Sequence, residues 1–407
     1  MSKVIVVGGG ASGMMAAYSA ASLGHEVILL EKNEKLGKKI YITGKGRCNL
    51  TNANDLDTFM KNIPTNPKFL YSAFSCFFNQ DMMNLMNENG CDIKIERGNR
   101  VFPVSDHASD VTKALEKLMK EYHVDIRLNE EVDDILVNKN KIVGVISNNK
   151  KIYCDDVIIA TGGLSYPSTG STGKGYQIAN NNEIEVSKCY PSLVPFNTLE
   201  SWVKALQGLS LRNISIQVYH NNKMEYEDFG ELLFTHFGVS GPVILSASSK
   251  VSPSFNKTLV IDLKPALSKE KLDERILRDF ASSPNKQIGK VIGQLLPIKL
   301  GLTVLKLCDI DEDKVINTIT KEERLKLVDT IKHLKITLTS FRSFNEAIIT
   351  KGGIKVSEIN PKTMMSKKIN GLYFVGEVLD VDALTGGYNL QIAFSTGYLA
   401  GQSIEYV

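Results

Sequence analysis

The glycine pattern Gly8-x-Gly10-x-x-Gly13 follows directly on the apolar run Lys3–Val7 and opens the Ala-rich stretch Ala11–Leu23, which reads as a helix. Glu26–Leu30 is a second apolar strand, closed by Glu31 eighteen residues after Gly13. Strand, glycine turn, helix and acid-ended strand together make a βαβ unit suited to a dinucleotide. Gly8 permits the tight turn, Gly10 lets backbone approach a pyrophosphate at the helix N terminus, and Gly13 lets helix and strand pack closely. Glu31 accepts hydrogen bonds from ribose hydroxyls, and its carboxylate disfavours a 2′-phosphate, so NADP is not expected in this site.

A chain of 407 residues exceeds one ordinary core and predicts two or three domains at ~150 residues each. Helical spacing recurs at Val111, Leu115, Leu118 and Met119, between short strands around Cys91–Ile95 and Val124–Leu128. Val132–Val137 and Lys141–Ser147 read as a meander, and Asp156–Ala160 as a third fully apolar strand. From about Pro191 short alternating strands (Val194–Thr198, Ile214–Tyr219, Leu259–Leu263) predict a β-rich insertion. A helical stretch follows, in which Ser268 caps a helix bearing Leu272, Ile276 and Phe280, and Thr320-x-x-Glu323 forms a capping box. Gly371–Val375 and the helix Tyr388–Ile404 return to α/β character. The expected division is 1–190 and 343–407 for the nucleotide domain, 191–265 and 333–342 for the β-rich insertion, and 266–332 for the helical one.

Forty-eight basic against 45 acidic side chains leave a net charge of +3, which argues against wholesale binding to nucleic acid or a membrane surface. Six scattered cysteines without a CxxC predict neither disulfides nor a structural metal, and imply a reducing cytoplasm. No apolar run reaches the ~18 residues of a membrane span. Two motifs are decoys. Ser168–Gly175 mimics a phosphate-binding loop but lacks its first Gly and its final Ser/Thr, and Asp309-x-Asp311-x-Asp313 lacks the Gly and closing Glu of a calcium loop.

Three further features favour FAD over NAD. Ile159–Gly163 ends a buried strand in residues small enough to lie against an adenosine, and Gly371–Glu377 ends another in an acid suited to ribityl hydroxyls. Gly386-Gly387-Tyr388-Asn389-Leu390-Gln391 opens the last helix, whose N terminus would face the negative charge of a reduced flavin. The lysines of Lys32–Arg47 read mostly as a solvated loop. Arg47-Cys48-Asn49, beside Gly44 and Gly46, reads as backbone packed near a ligand, with Cys48 a passive contact and not a redox thiol.

These blocks, together with Gly37–Asn52, Thr161-Gly162-Gly163-x-Ser165-Tyr166-Pro167, Leu233–Pro242 and Gly376–Asp382, resemble the BaiN/YhiN-type flavoproteins over essentially the whole chain. That group includes NAD(P)/FAD-dependent oxidoreductases and aminoacetone-oxidase-family enzymes. The resemblance implies an α/β fold: a glutathione-reductase-like, Rossmann-type FAD-binding domain with a β-barrel-like insertion and a small helical domain. It also implies FAD contacts at Gly8, Gly10, Ser12, Gly13, Glu31, Lys32, Arg47, Cys48, Asn49, Val132, Thr161, Gly162, Glu377, Asp380, Asn389 and Leu390. Lys45, where many relatives have Gly, is expected to alter the loop surface only. With no second GxGxxG, either NAD(P)H visits the substrate cleft as a transient electron donor, or the substrate itself reduces the flavin and oxygen reoxidises it.

The expected activity is hydride exchange between flavin and a small or steroid-like molecule, in a cleft between the FAD domain and the insertion. Reductase is favoured over an oxygen-dependent amine oxidase. Tyr166, Thr235 and His236 are the substrate-side candidates, with His236 able to shuttle a proton. Two competing classes are an RNA-associated flavoprotein, disfavoured by the near-neutral charge and the shortage of aromatics in the lysine loop, and a non-catalytic flavin sensor. No nucleic-acid or membrane partner is expected, and the oligomeric state is left open.

Overall fold

The structure is a computed structural model that describes residues 1–406. It comprises two compact units, residues 1–192 with the chain from Phe344 onward, and Leu193–Ser343.

The first unit contains β1 (Lys3–Val7), α1 (Ala11–Ser22), β2 (Glu26–Glu31), α2 (Ala108–Glu121), β3 (Asp125–Leu128), β4 (Asp156–Ile159), β5 (Leu372–Phe374) and α3 (Tyr388–Gln402). The strands form one parallel sheet in the order β5-β4-β1-β2-β3. Strands buried on both faces must be largely apolar, which is why β1, β2 and β4 read as nearly continuous Val/Ile/Leu runs with no alternation, and why β5 is the buried Leu372-Tyr373-Phe374. The chain runs outward from β1 through β2 to β3 and then returns to β4 on the other side of β1. This reversal creates a crevice at the carboxyl ends of β1 and β4, where such sheets bind ligands. Small residues let α1 and α3 meet at backbone distance: a Cβ on Gly401 would lie 2.6 Å from the Ala20 nitrogen.

Ile93–Glu96 pairs with Arg100–Pro103 as an antiparallel hairpin outside the main sheet. The meander Val132–Asn138, Lys141–Ser147 gains a third strand, Lys150–Tyr153. Helices Leu56–Lys61, Tyr71–Cys76 and Asn79–Glu88 were not foreseen. The first two have six residues each, too short to establish a period, and the third is rich in Asn.

The second unit is a closed antiparallel barrel of six strands, Phe196–Thr198, Ser210–His220, Lys223–Phe234, Gly238–Ser240, Lys257–Asp262 and Leu334–Phe341, with helices inserted before the last strand. The capping signals work as read. Ser268 accepts from the Lys271 amide at 3.3 Å, and Thr320 and Glu323 exchange reciprocal bonds of 3.1 and 2.8 Å. Leu272 and Ile276 point into this unit's own core, with Phe280 packed against it. No helix among the described residues is long and apolar enough to cross a membrane.

Candidate functional site

A cavity of about 360 Å³ opens at the carboxyl ends of β1, β2, β4 and β5, and every residue lining it belongs to the first unit. The glycine turn forms one wall. Gly8 adopts φ +105°, and a Cβ there would sit 2.6 Å from the Ala160 carbonyl, so only glycine lets β1 and β4 end side by side. A Cβ on Gly13 would lie 1.8 Å from the Gly8 oxygen, which makes this glycine a packing requirement, and Gly13 does not itself line the cavity. Gly10 is the opposite case: a Cβ there meets nothing within 4 Å, because the position faces open cavity.

Glu31 is buried at the end of β2, and one carboxylate oxygen accepts the Gly9 amide at 2.7 Å while the other accepts the Asn33 amide at 2.8 Å. Its position is thereby fixed before any ligand arrives. The Asn33 side-chain amide also donates to that second oxygen, at 2.6 Å, so it is the oxygen bound to Gly9 that retains a lone pair for a further donor. Across the cavity, Glu377 is held by the Lys39 ammonium at 2.5 Å, by the Thr350 amide at 2.9 Å and by the Ser165 hydroxyl. Lys39 is therefore part of the cavity wall and not a solvated loop residue, and so is Lys38, paired with Glu34 at 3.0 Å.

Other expected contacts divide in two. Ser12, Lys32, Asn49, Val132, Thr161 and Gly162 line the cavity, as do Asn389 and Leu390. The Asn389 side chain is committed to the backbone of Ala383, donating and accepting at 2.7 and 2.8 Å, so it secures the loop before α3. Arg47, Cys48 and Asp380 do not line the cavity. The Arg47 guanidinium pairs with Glu96 and Asp106 and stacks on Phe102, its Cζ 4.2 Å from the ring centroid. Cys48 is fully buried, and burial pushes its thiol up to about 12, the reverse of what a reactive thiolate needs. Asp380 accepts from the Ser187 hydroxyl at 2.8 Å.

The fit to a dinucleotide has independent support. Two buried side-chain oxygens without a protein partner, Asn49 Oδ1 and Thr161 Oγ1, belong to wall residues. Unsatisfied buried polar atoms are costly and mark places where a ligand completes the bonding. The loop set aside as a decoy also contributes, through Thr169, Gly170, Ser171 and Lys174. Among the wall lysines Lys32, Lys38 and Lys39 have acid partners, whereas Lys174 is in no ion pair among the described residues. The small and cationic composition of that segment was the available signal, obscured because it was tested against the wrong motif.

Of the substrate-side candidates, Tyr166 stands in the first unit at φ +52° and does not line the cavity. Thr235 and His236 lie in the second unit, in the turn between the strands ending at Phe234 and beginning at Gly238. The Thr235 hydroxyl closes that turn through bonds of 3.0 and 3.1 Å to Gly238, while His236 is exposed and packs edge-on against Phe237.

The family profile described as HI0933-like protein Rossmann domain matches residues 2–403. A Haemophilus influenzae protein named ribosomal RNA dihydrouridine synthase is 35% identical over 99% of this chain and 98% of its own length. A Clostridium scindens protein named 3-dehydro-bile acid delta(4,6)-reductase is 28% identical over 99% of each chain. In fold, the chain is similar to a Rhodococcus jostii 3-ketosteroid-delta4-(5alpha)-dehydrogenase structure, with a TM-score of 0.50, 14% identity and coverage of 99% of this chain and 96% of that one. The Rossmann-type fold with its barrel insertion is that of FAD-binding oxidoreductases.

Proposed function

Because the chain belongs to the HI0933-like family, we propose that it is an FAD-dependent, NAD(P)H-driven reductase of carbon–carbon double bonds conjugated with a carbonyl, and that its acceptor is a uracil base of ribosomal RNA. The observation that carries this reading is the full-length similarity to two proteins whose names describe one chemical step on different molecules. Dihydrouridine is uridine with its C5–C6 double bond, conjugated with the C4 carbonyl, saturated. A 3-keto bile acid with double bonds at C4 and C6 is likewise a conjugated ketone. In either case a hydride joins an electron-poor carbon of the conjugated system and a proton joins its neighbour, so NAD(P)H, a proton and the acceptor give NAD(P)⁺ and the saturated product. The BaiN/YhiN-type resemblance agrees with this class.

FAD, when bound, carries the hydride equivalent between donor and acceptor. The chain's own residues position it. The Gly8–Gly13 turn and the N terminus of α1 would hold the diphosphate, Glu31 the adenosine ribose, and Glu377, fastened by Lys39, the ribityl hydroxyls. Arg47, Cys48 and Asp380 would act through the loops they anchor. Tyr166, Thr235 and His236 are the proposed acceptor-side groups, with His236 as the proton donor. The relatives' names weigh against the expectation of no nucleic-acid partner. A steroid-like acceptor is the second reading, favoured by the Clostridium scindens relative.

The test is anaerobic reduction of the bound flavin by NADH and NADPH, followed by incubation with deproteinised ribosomal RNA or a 3-keto-4,6-diene bile acid and product detection by mass spectrometry. Dihydrouridine formation is the expected result. Saturation of the bile acid alone would select the second reading, and flavin that only an amine reduces would remove both.

A further inference from the structure

Beside the cavity, the surface of the first unit carries four cations that the wall does not use. Lys35, Lys45, Arg97 and Arg100 are exposed and in no ion pair among the described residues. Few acids flank them in the sequence, and Glu34, next to Lys35, is paired with Lys38. Residues 35–47 contain none, and residues 93–107 contain only Glu96 and Asp106, both paired with Arg47 and Lys94. The patch is therefore a net positive field in a chain of near-neutral overall charge, which composition alone conceals.

Two sets of contacts tie this patch to the cavity. The hairpin tip Arg97-Gly98-Asn99-Arg100 is fastened through Asn52, whose Nδ2 donates to the Gly98 carbonyl at 3.1 Å and to the Gly386 carbonyl of the cavity wall at 2.9 Å. Asn54 repeats the link, accepting from Asn99 at 2.5 Å and donating to the Tyr388 hydroxyl at 3.0 Å. On the other side, the Phe102 ring carries Arg100 at 5.8 Å, and its edge lies 3.4 Å from where a Cβ on Gly44 would stand. Gly44 lines the cavity, and Lys45 follows it.

Lys45 supplies a separate observation. It holds φ +59° between Gly44 at +56° and Gly46 at +86°, a left-handed run in which a third glycine would be free of strain. A lysine kept in such a conformation, exposed at the cavity rim, points to a use for its charge.

We propose that Lys45, Arg97 and Arg100 form a phosphate-binding ridge that seats an RNA backbone next to the cavity, so that one base can be presented to the cofactor site. This rests on the reading of a ribosomal RNA acceptor given above. Backbone phosphate contacts set register, and an enzyme acting on a base must hold the strand while that base leaves its stack. The arginine forks at the hairpin tip match phosphate oxygens geometrically, and Lys45 adds a point charge.

The experiment compares the holoprotein with K45G/R97S/R100S in filter binding to deproteinised ribosomal RNA over roughly 50–300 mM salt. The variant should bind at least tenfold more weakly at low salt, and the slope of log affinity against log salt should fall by about 2, the loss of three phosphate contacts on a single strand. Its FAD content and its rate of flavin reduction by NAD(P)H should match the wild type. Folding is controlled separately: Lys45→Gly alone should leave the melting temperature unchanged or raised while weakening RNA binding, and R97K/R100K should recover most of the affinity. Equal RNA affinity in the triple variant, absence of salt-dependent binding by the wild type, or loss of NAD(P)H-driven reduction in place of RNA binding would each overturn the ridge. RNA held through the ridge with no dihydrouridine formed would uphold it while removing the uracil acceptor.

Discussion

At the scale of single residues, Gly10 separates cofactor binding from folding. Its φ of −81° suits any L-residue and a Cβ there touches no protein atom, so Gly10→Val should fold normally yet fill the space a pyrophosphate needs. We expect FAD affinity at least tenfold lower, read by flavin release and fluorescence, with far-UV circular dichroism unchanged. Gly13→Ala should instead lower the melting temperature sharply, since its Cβ would strike the Gly8 carbonyl. Lys35→Ala should leave FAD binding intact because Lys35 stands outside the cavity, over the Tyr41 ring at 4.6 Å. Lys174→Ala removes a wall cation in no ion pair among the described residues, and should weaken FAD binding several-fold in a salt-sensitive way. Equal Kd values for wild type and K174A would show that this lysine faces solvent in the complex.

Among the elements, β4 carries a built-in dependence on pH at the end opposite the cavity. Asp156 begins the strand, and burial, with Asp155 and Glu405 adding repulsion against the weaker pull of Lys141, raises its carboxyl from 3.8 to about 7. A carboxyl raised on folding contributes stability that is complete below its unfolded value and is lost as pH rises through the folded one. The first unit should therefore lose stability between about pH 4 and pH 8. Asp156→Asn should match the wild type at or below about pH 4 and exceed it at pH 8, on the order of 2–4 kcal/mol. Parallel melting curves at pH 8 would show that the carboxylate finds water or a cation when charged. The hairpin Ile93–Glu96/Arg100–Pro103 shows the same lesson for function: its pairing is ordinary, but the asparagines docking its tip decide which charges stand beside the cavity.

For the whole molecule, Leu193–Ser343 is a single stretch of chain with its own barrel and its own apolar core. Its exit and return are close, because Ser192 pairs with Ile349 in an antiparallel ladder. Since the cavity is lined from the first unit alone, replacing residues 193–343 by a short Gly/Ser linker should preserve FAD binding and abolish turnover if His236 donates the proton. A yellow protein with wild-type FAD occupancy and no reductase activity is the expected outcome. A colourless one would mean that the second unit supports the cavity.

Much of this organisation was legible in the residues because it rests on local chemistry. The Gly8–Gly13 turn, the unbroken apolar strands, the Glu31 terminus and the Ser268 and Thr320 caps each act within one or two elements, so composition and spacing suffice to read them. The wall formed by Lys39 and Glu377, 338 residues apart, was not legible as a pair, and neither was the diversion of Arg47 to Glu96 and Asp106. An isolated lysine loop carries no sign of which of its charges will find an acid from a distant strand. Folding pairs some cations and leaves others exposed beside the cavity, and Coulomb interactions depend on those distances through space, which no order of residues along the chain records.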